Sequence, residues 1–331
     1  MNKKIRICFT GRSSSFINSD YEILKKHFDV IKFEPPNGHF GLLKYIISLA
    51  KGVKECNLTF SWFADWYSAF TVFFSKLLKK KSIVVVGGYD AAYFPEIKYG
   101  AFANIKEKLP AKYVLKNADL LLAVSEFTKK SVLEKIIPKK IEVIYNGVDV
   151  DKFKPQNKEK IVVTIGGGTE RSYKLKGIET FAKVSTSFPD YKFIIIGPTE
   201  NHIVEKLKKI NPKLIFTGII SHDEVLKLLQ KVKIYCQLSY IESFGMGAAE
   251  AMSCGCIPVV TKRGGLPEIV GENGFYISYD DEKETVAAIE KALNVSDKTR
   301  KNVINQIKNN FSLELREKRL VKSIKMQIGE S

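Results

Sequence analysis

The 331 residues hold 53 Lys and Arg against 36 Asp and Glu, a formal charge of +17, with 45% hydrophobic and 27% charged side chains. That length exceeds what one core usually fills, so two domains are expected, and the composition excludes low-complexity or disordered chain. Five cysteines without zinc-type paired spacing and four scattered histidines give no metal centre, and no charge-free apolar run reaches the ~20 residues of a membrane span.

The opening "MNKKIRICFTG" runs from charge straight into a strand and a glycine turn, so no signal peptide is expected. Cys8, Cys56, Cys236, Cys254 and Cys256 read as small buried side chains of a reducing compartment, and the chain is read as cytoplasmic. Residues 1–155 carry 26 Lys/Arg and 15 Asp/Glu, a net of +11; the rest carry 27 and 21, a net of +6. The surplus fits plain solubility, and equally a phosphorylated acceptor or a peripheral contact with an anionic membrane at its cytoplasmic face. Nucleic acid is not expected as a partner, because no basic stripe with interleaved aromatics is present.

Six β-branched runs read as strands in the first half: "KIRICFT", "DVIKF", "NLTFSW", "SIVVVGG", "DLLLAVS" and "IEVIYN". Six more follow: "KIVVTIGG", "KFIIIG", "KLIFTG", "KIYCQLS", "CIPVVT" and "GFYIS". Helical periodicity lies between them, as in "YEILKKHF" and "HDEVLKLLQKV", which predicts an α/β fold of parallel, doubly wound sheets. The polar stretch Asn146 to Lys160 predicts a boundary near 155, giving domains 1–155 and 156–331, with a last helix, about 312–328, able to pack back on the first domain. Ligands of doubly wound sheets gather beyond the carboxyl ends of the strands, and two such domains face to face form a cleft there.

Several segments carry chemistry at such positions. "TGRSSSF" follows the first strand with Gly11, Arg12 and hydroxyls, and "SWFADW" follows the third with Trp62 and Asp65. Trp62 suits either core packing or stacking on a sugar. "IGGGTERSYKLKGIETF" (Ile165 to Phe181) has three glycines, Gly166 to Gly168, for an open turn, then Arg171 and Lys176 five apart before a helix. Two fixed cations there suit an anionic ligand, with Lys174 able to stand in for Arg171, and a lysine-rich surface loop is the plain alternative. Ser221 with Glu224 forms a capping box, and His222 reads as structural.

"ESFGMGAAEAMSCGCIPVV" (Glu242 to Val260) predicts a short helix over Gly245 to Ser253, ended by Gly255. Its bare first turn leaves amides open to a phosphate, with Glu242 and Glu250 on either side. A fully helical path would separate the two by about 12 Å, wider than the roughly 5–9.5 Å of a glycosidase pair, which suits two ends of one ligand. The glutamates also suit two solvated ends of an ordinary helix.

Gln237 to Val270, "QLSYIESFGMGAAEAMSCGCIPVVTKRGGLPEIV", resembles the donor-site signature of family-4 retaining glycosyltransferases. Asn117 to Lys135, Ile141 to Phe153 and Phe216 to Val232 resemble other segments of that family in the same order. The resemblance implies the GT-B fold, two Rossmann-like domains with the active site in the cleft. It implies retaining transfer, of hexosyltransferase type, from a UDP-, GDP- or ADP-sugar to a glycan, lipid-linked or small-molecule acceptor. No cofactor or metal would be required. Glu250 would bind the donor ribose and Glu242 the transferred sugar; Phe244, Gly245, Met246 and Gly247 would face the distal phosphate or sugar hydroxyls. Arg171 and Lys176 would clamp the diphosphate, with Gly167 and Gly168 in the turn before them, and Gly11 would lie near the donor phosphate.

The chain departs from the family at "VVVGGYD", where Gly87 and Gly88 stand at the place of a frequent histidine. Asp90 could take part of the acceptor-positioning role, and is equally suited to capping a helix. Front-face substitution, with the leaving phosphate taking the acceptor proton, needs no such histidine. "DVD" (Asp149 to Asp151) fits a metal-binding Asp-x-Asp but sits in the interdomain stretch. Two alternatives share the architecture: a sugar-nucleotide 2-epimerase, and a sugar-nucleotide-binding protein without turnover.

Overall fold

The computed structural model describes residues 5–36 and 41–329, without the side chain of Arg171. All twelve expected runs are strands; the central ones, such as Leu58–Trp62, Leu120–Ala123 and Ile257–Thr261, are buried along their whole length, as parallel strands covered on both faces are, while edge strands such as Asp29–Phe33 and Ile215–Phe216 are only partly covered. The first six are β1 (Arg6–Thr10), β2 (Asp29–Phe33), β3 (Leu58–Trp62), β4 (Lys81–Val86), β5 (Leu120–Ala123) and β6 (Ile141–Val143). They form one sheet in the order β2-β1-β3-β4-β5-β6, every pair parallel. The second six are β7 (Ile161–Ile165), β8 (Lys192–Ile196), β9 (Ile215–Phe216), β10 (Ile234–Gln237), β11 (Ile257–Thr261) and β12 (Phe275–Ile277). Their order is β12-β11-β10-β7-β8-β9, again wholly parallel. Parallel neighbours need crossovers, and helices supply them, so each sheet is doubly wound as expected.

The chain divides into two compact units, one running to Gly147 and resuming at Glu314, the other Val148–Leu313. The division falls within the polar stretch Asn146 to Lys160, a few residues ahead of the boundary expected near 155. In the first unit, Asp20 and Arg316 are almost wholly buried and meet through a two-pronged contact, Arg316 Nε to Asp20 Oδ1 at 2.6 Å and Nη2 to Oδ2 at 2.7 Å. Arg316 Nη1 also donates to the carbonyls of Ile144 and Tyr145, and Trp62 Nε1 donates to Asp20 Oδ2 at 2.9 Å. The helix Leu313–Gln327 is thereby fastened to the first sheet by a satisfied buried ion pair. Trp62, 2% exposed, is a core residue and no stacking platform.

In the second unit the strand order reverses between β10 and β7: β8 and β9 extend on one side of β7, β10 to β12 on the other. Loops diverge at such a switch point and leave a crevice beyond the carboxyl ends of the strands.

Candidate functional site

Three loops leave adjacent strands beside this switch point: after β7 at Gly166, after β10 at Leu238 and after β11 at Lys262. The second leads into the helix Met246–Ser253. Gly245 precedes it at φ +105°, a left-handed conformation that strains any side chain, and Gly255 closes it at φ +75°. The amides of Met246, Gly247 and Ala248 have no carbonyl one turn back, and Met246 and Gly247 are only half-buried. Gly247 is also required by packing, since a Cβ there would strike the Tyr235 hydroxyl. Phe244 is buried with its ring edge-on to Phe311, so its backbone and not its ring is available to a ligand.

The turn at Gly264–Gly265 buttresses this loop from β11. Gly265 N donates to the Glu242 carbonyl at 2.8 Å, and a Cβ on Gly264, at φ +66°, would collide with that same carbonyl. The backbone carrying Glu242 is thus held from outside its own loop.

The loop after β7 differs from the open glycine turn expected there. Gly168 N donates to the Pro198 carbonyl at 2.9 Å, and a Cβ on Gly167 would strike that carbonyl, so this turn is packed against the chain following β8. Glu170–Leu175 is a short helix with a Thr169–Ser172 capping box. Arg171 lies on it, its side chain outside the described residues, and Lys174 is exposed. Lys176 follows at the C-cap, its stem passing Gly166, where a Cβ would stand 2.9 Å from Lys176 Cγ.

Lys176 Nζ reaches Glu242 Oε2 at 2.7 Å, so the structure joins the two segments singled out in the sequence. Gln237 Nε2 donates to the same oxygen at 2.6 Å, and the buried Tyr235 hydroxyl donates to Gln237 Oε1 at 3.2 Å. Burial, and after it the charges of Glu242 and Glu250, push the Tyr235 hydroxyl's pKa well up, so it stays a neutral donor. Glu250, 8% exposed, meets His222 Nε2 through Oε1 at 3.0 Å. His222 stacks edge-on against Phe153, and its pKa is raised chiefly by the hydrogen bond to Glu250. Gln237, Tyr235 and His222 are the members the sequence reading missed. Tyr235 and Gln237 are two apart on one strand, the period that puts side chains on one face. His222 stands first in a helix whose preceding loop faces the strand ends, and no local signal links it to Glu250.

The remaining expected residues lie in the first unit. Asp90 is buried, and its carboxylate accepts from the amides of Gly88 at 2.7 Å, Ala64 at 3.0 Å and Gly87 at 3.3 Å. Burial raises its pKa to about 6, against the lowering effect of those amides. It holds the turn after β4 in shape, with Tyr89–Ala91 as a single 3-10 turn in place of a capped α-helix. Gly11 is packed on Ile17 and Trp62. Asp65 caps the helix Trp66–Leu77 through Ser68 N. A cavity of about 520 Å³ opens among Arg12, Asp65, Trp66, Tyr67, Asp90 and Glu107.

The description "Glycosyl transferases group 1" matches residues 148–310, and "Glycosyltransferase Family 4" matches residues 9–152. One component of the phosphatidylinositol N-acetylglucosaminyltransferase of Arabidopsis thaliana is 26% identical over 223 residues, 63% of this chain and 49% of its own. An uncharacterized glycosyltransferase of Methanocaldococcus jannaschii is 28% identical over 268 residues, 72% of this chain and 67% of its own. The match thus spans about half the length of the plant relative. Among solved structures, Anabaena HepE in complex with UDP and glucose superposes with a TM-score of 0.79 at 17% identity, over 97% of this chain and 100% of that one. That likeness is one of fold: two Rossmann-like units of GT-B type.

Proposed function

We propose, since this chain belongs to the group 1 glycosyltransferases, that it moves a sugar from a nucleoside diphosphate donor to an acceptor hydroxyl with retention of configuration. The observation that carries this reading is the contact of Lys176 with Glu242 at the switch point, beside a bare helix start. A diphosphate would lie on the amides of Met246 to Ala248, with Lys176 and Arg171 as its counter-charges. Glu242 would accept from hydroxyls of the transferred sugar, and Glu250 from the ribose. Such a donor must share Lys176 with Glu242, which orients the carboxylate and the cation toward one ligand.

The step balances without a metal. The bond from the anomeric carbon to the phosphate oxygen breaks on the face where the acceptor oxygen bonds, and the acceptor proton passes to the leaving phosphate. Negative charge grows on the diphosphate, so Lys176 stabilises the transition state more than the ground state. A uridine diphosphate sugar is the donor to try first: HepE was solved with UDP, and the plant relative is named for N-acetylglucosaminyl transfer.

Thermal shifts with uridine, guanosine and adenosine diphosphates test the base, since a ligand at 100 times its Kd adds about 2.7 kcal/mol to the native state. Glu250→Ala should weaken donor binding and Glu242→Ala should lower turnover; unchanged transfer by both would end the proposal. Donor incubated alone should give no new nucleotide sugar, which separates transfer from epimerisation.

A further inference from the structure

Three helices lie side by side on one face of the first sheet: Leu42–Glu55, Trp66–Leu77 and Ile105–Asn117. Tyr45 meets Tyr67 edge-on at 5.5 Å, Ala69 and Val72 share a core with Ala111 and Val114, and Lys76 Nζ bonds Asn117 Oδ1 at 2.9 Å. Each helix returns from the carboxyl end of one strand to the start of the next, so all three run in the same direction.

Their outward stripes agree in an unusual way. Leu43 and Ile47, Phe73 and Leu77, and Ile105 and Leu109 point away from the core, the least exposed being Phe73 at 49% and the most Ile105 at 76%. Trp66, half exposed, joins them at the head of the middle helix. In the outer two helices the same stripe continues toward the C-terminus as exposed lysines: Lys51 and Lys54 in one, Lys112 and Lys116 in the other. The three helices hold eight lysines and two carboxylates, Glu55 and Glu107. Scattered exposed apolar residues are ordinary; an apolar band across the heads of three parallel helices (Leu43, Ile47, Trp66, Ile105, Leu109), with Phe73 and Leu77 continuing it between the lysine-bearing tails of the outer two, is not.

The geometry points to this face as a docking surface for an anionic lipid bilayer, with the apolar band entering the headgroup boundary and the lysines meeting the lipid phosphates. Charge complementarity decides the occupant: a basic border of this size is matched by a continuous anionic surface, and the apolar side chains by acyl chains. The 520 Å³ cavity shares Trp66, Tyr67, Glu107 and Pro110 with the heads of two of these helices. Resting on the transferase reading, the acceptor would then be lipid-linked, its polar head entering the cavity from the bilayer.

Co-sedimentation of the full chain with phosphatidylcholine vesicles, with and without phosphatidylglycerol, tests the surface without any sugar donor. Binding is expected only with phosphatidylglycerol and should weaken with salt. Ile47→Ser, Phe73→Ser and Leu77→Ser together should lower partitioning at least tenfold, as should Lys51→Gln, Lys54→Gln and Lys112→Gln together, with unfolding temperature unchanged. Lys208→Gln, Lys209→Gln and Lys213→Gln, exposed in the other unit, should leave it unchanged. No binding to anionic vesicles, equal loss in that control, or a self-association abolished by the serine substitutions would overturn the proposal. Nucleotide shifts measured without lipid test the transferase reading separately.

Discussion

Lys176 and Glu242 are each partly open to water, at 25% and 20% of their side chains, so their ion pair contributes little to stability, about 1 kcal/mol or less. On the proposed reading its value lies in the chemistry. Lys176→Ala should cost less than about 1 kcal/mol in unfolding but lower kcat by about 10²–10³, the usual loss when one charge-stabilising donor is removed. A large stability loss with near-normal turnover would reverse that assignment. The His222–Glu250 pair makes a pH prediction. A folded pKa above the ordinary 6.5 means the pair's stabilisation is complete below that value and is lost as pH rises through the raised one. A ribose that claims Glu250 would displace protonated His222 and release its proton, so donor binding should tighten as pH rises through this range. Calorimetric titration with UDP should show that slope, and His222→Ala should flatten it.

Short apolar strands and capped helices follow local rules, which is why all twelve strands, the Ser221–Glu224 capping box and the helix closed by Gly255 were legible in the sequence. Glu170–Leu175 was not: six residues give too short a window for apolar periodicity, and the Thr169–Ser172 cap that starts it lies within a run of polar residues. The glycines of the turn before it were legible as glycines, but their reason is the approach of Pro198 from a distant strand, which no spacing reveals. Likewise the contacts of Glu242 and Glu250 join positions 66 and 28 residues away. The turn at Gly264 is the element whose alteration should show this dependence. Gly264→Ala adds a Cβ at positive φ against the Glu242 carbonyl, so we expect a loss of about 1–3 kcal/mol together with weaker nucleotide binding. Urea unfolding and thermal shift with nucleotide would measure the two effects separately.

On the scale of the whole molecule, the first unit is discontinuous: it takes its final helix from beyond the second. Arg316→Ala would strand the Asp20 carboxylate in a dry interior, a change that typically costs about 3–5 kcal/mol, and Trp62 would lose a bonded neighbour. Chemical denaturation should register that loss in the transition of the first unit.

The Asp20–Arg316 clasp also orders events during synthesis. A ribosome that has made Gly147 has not yet supplied the guanidinium that Asp20 awaits, and must first translate every residue from Val148 to Leu313. Until then Asp20 has the Trp62 indole N–H but not its guanidinium partner, so the buried ion pair of the first unit closes only after the second unit has been made.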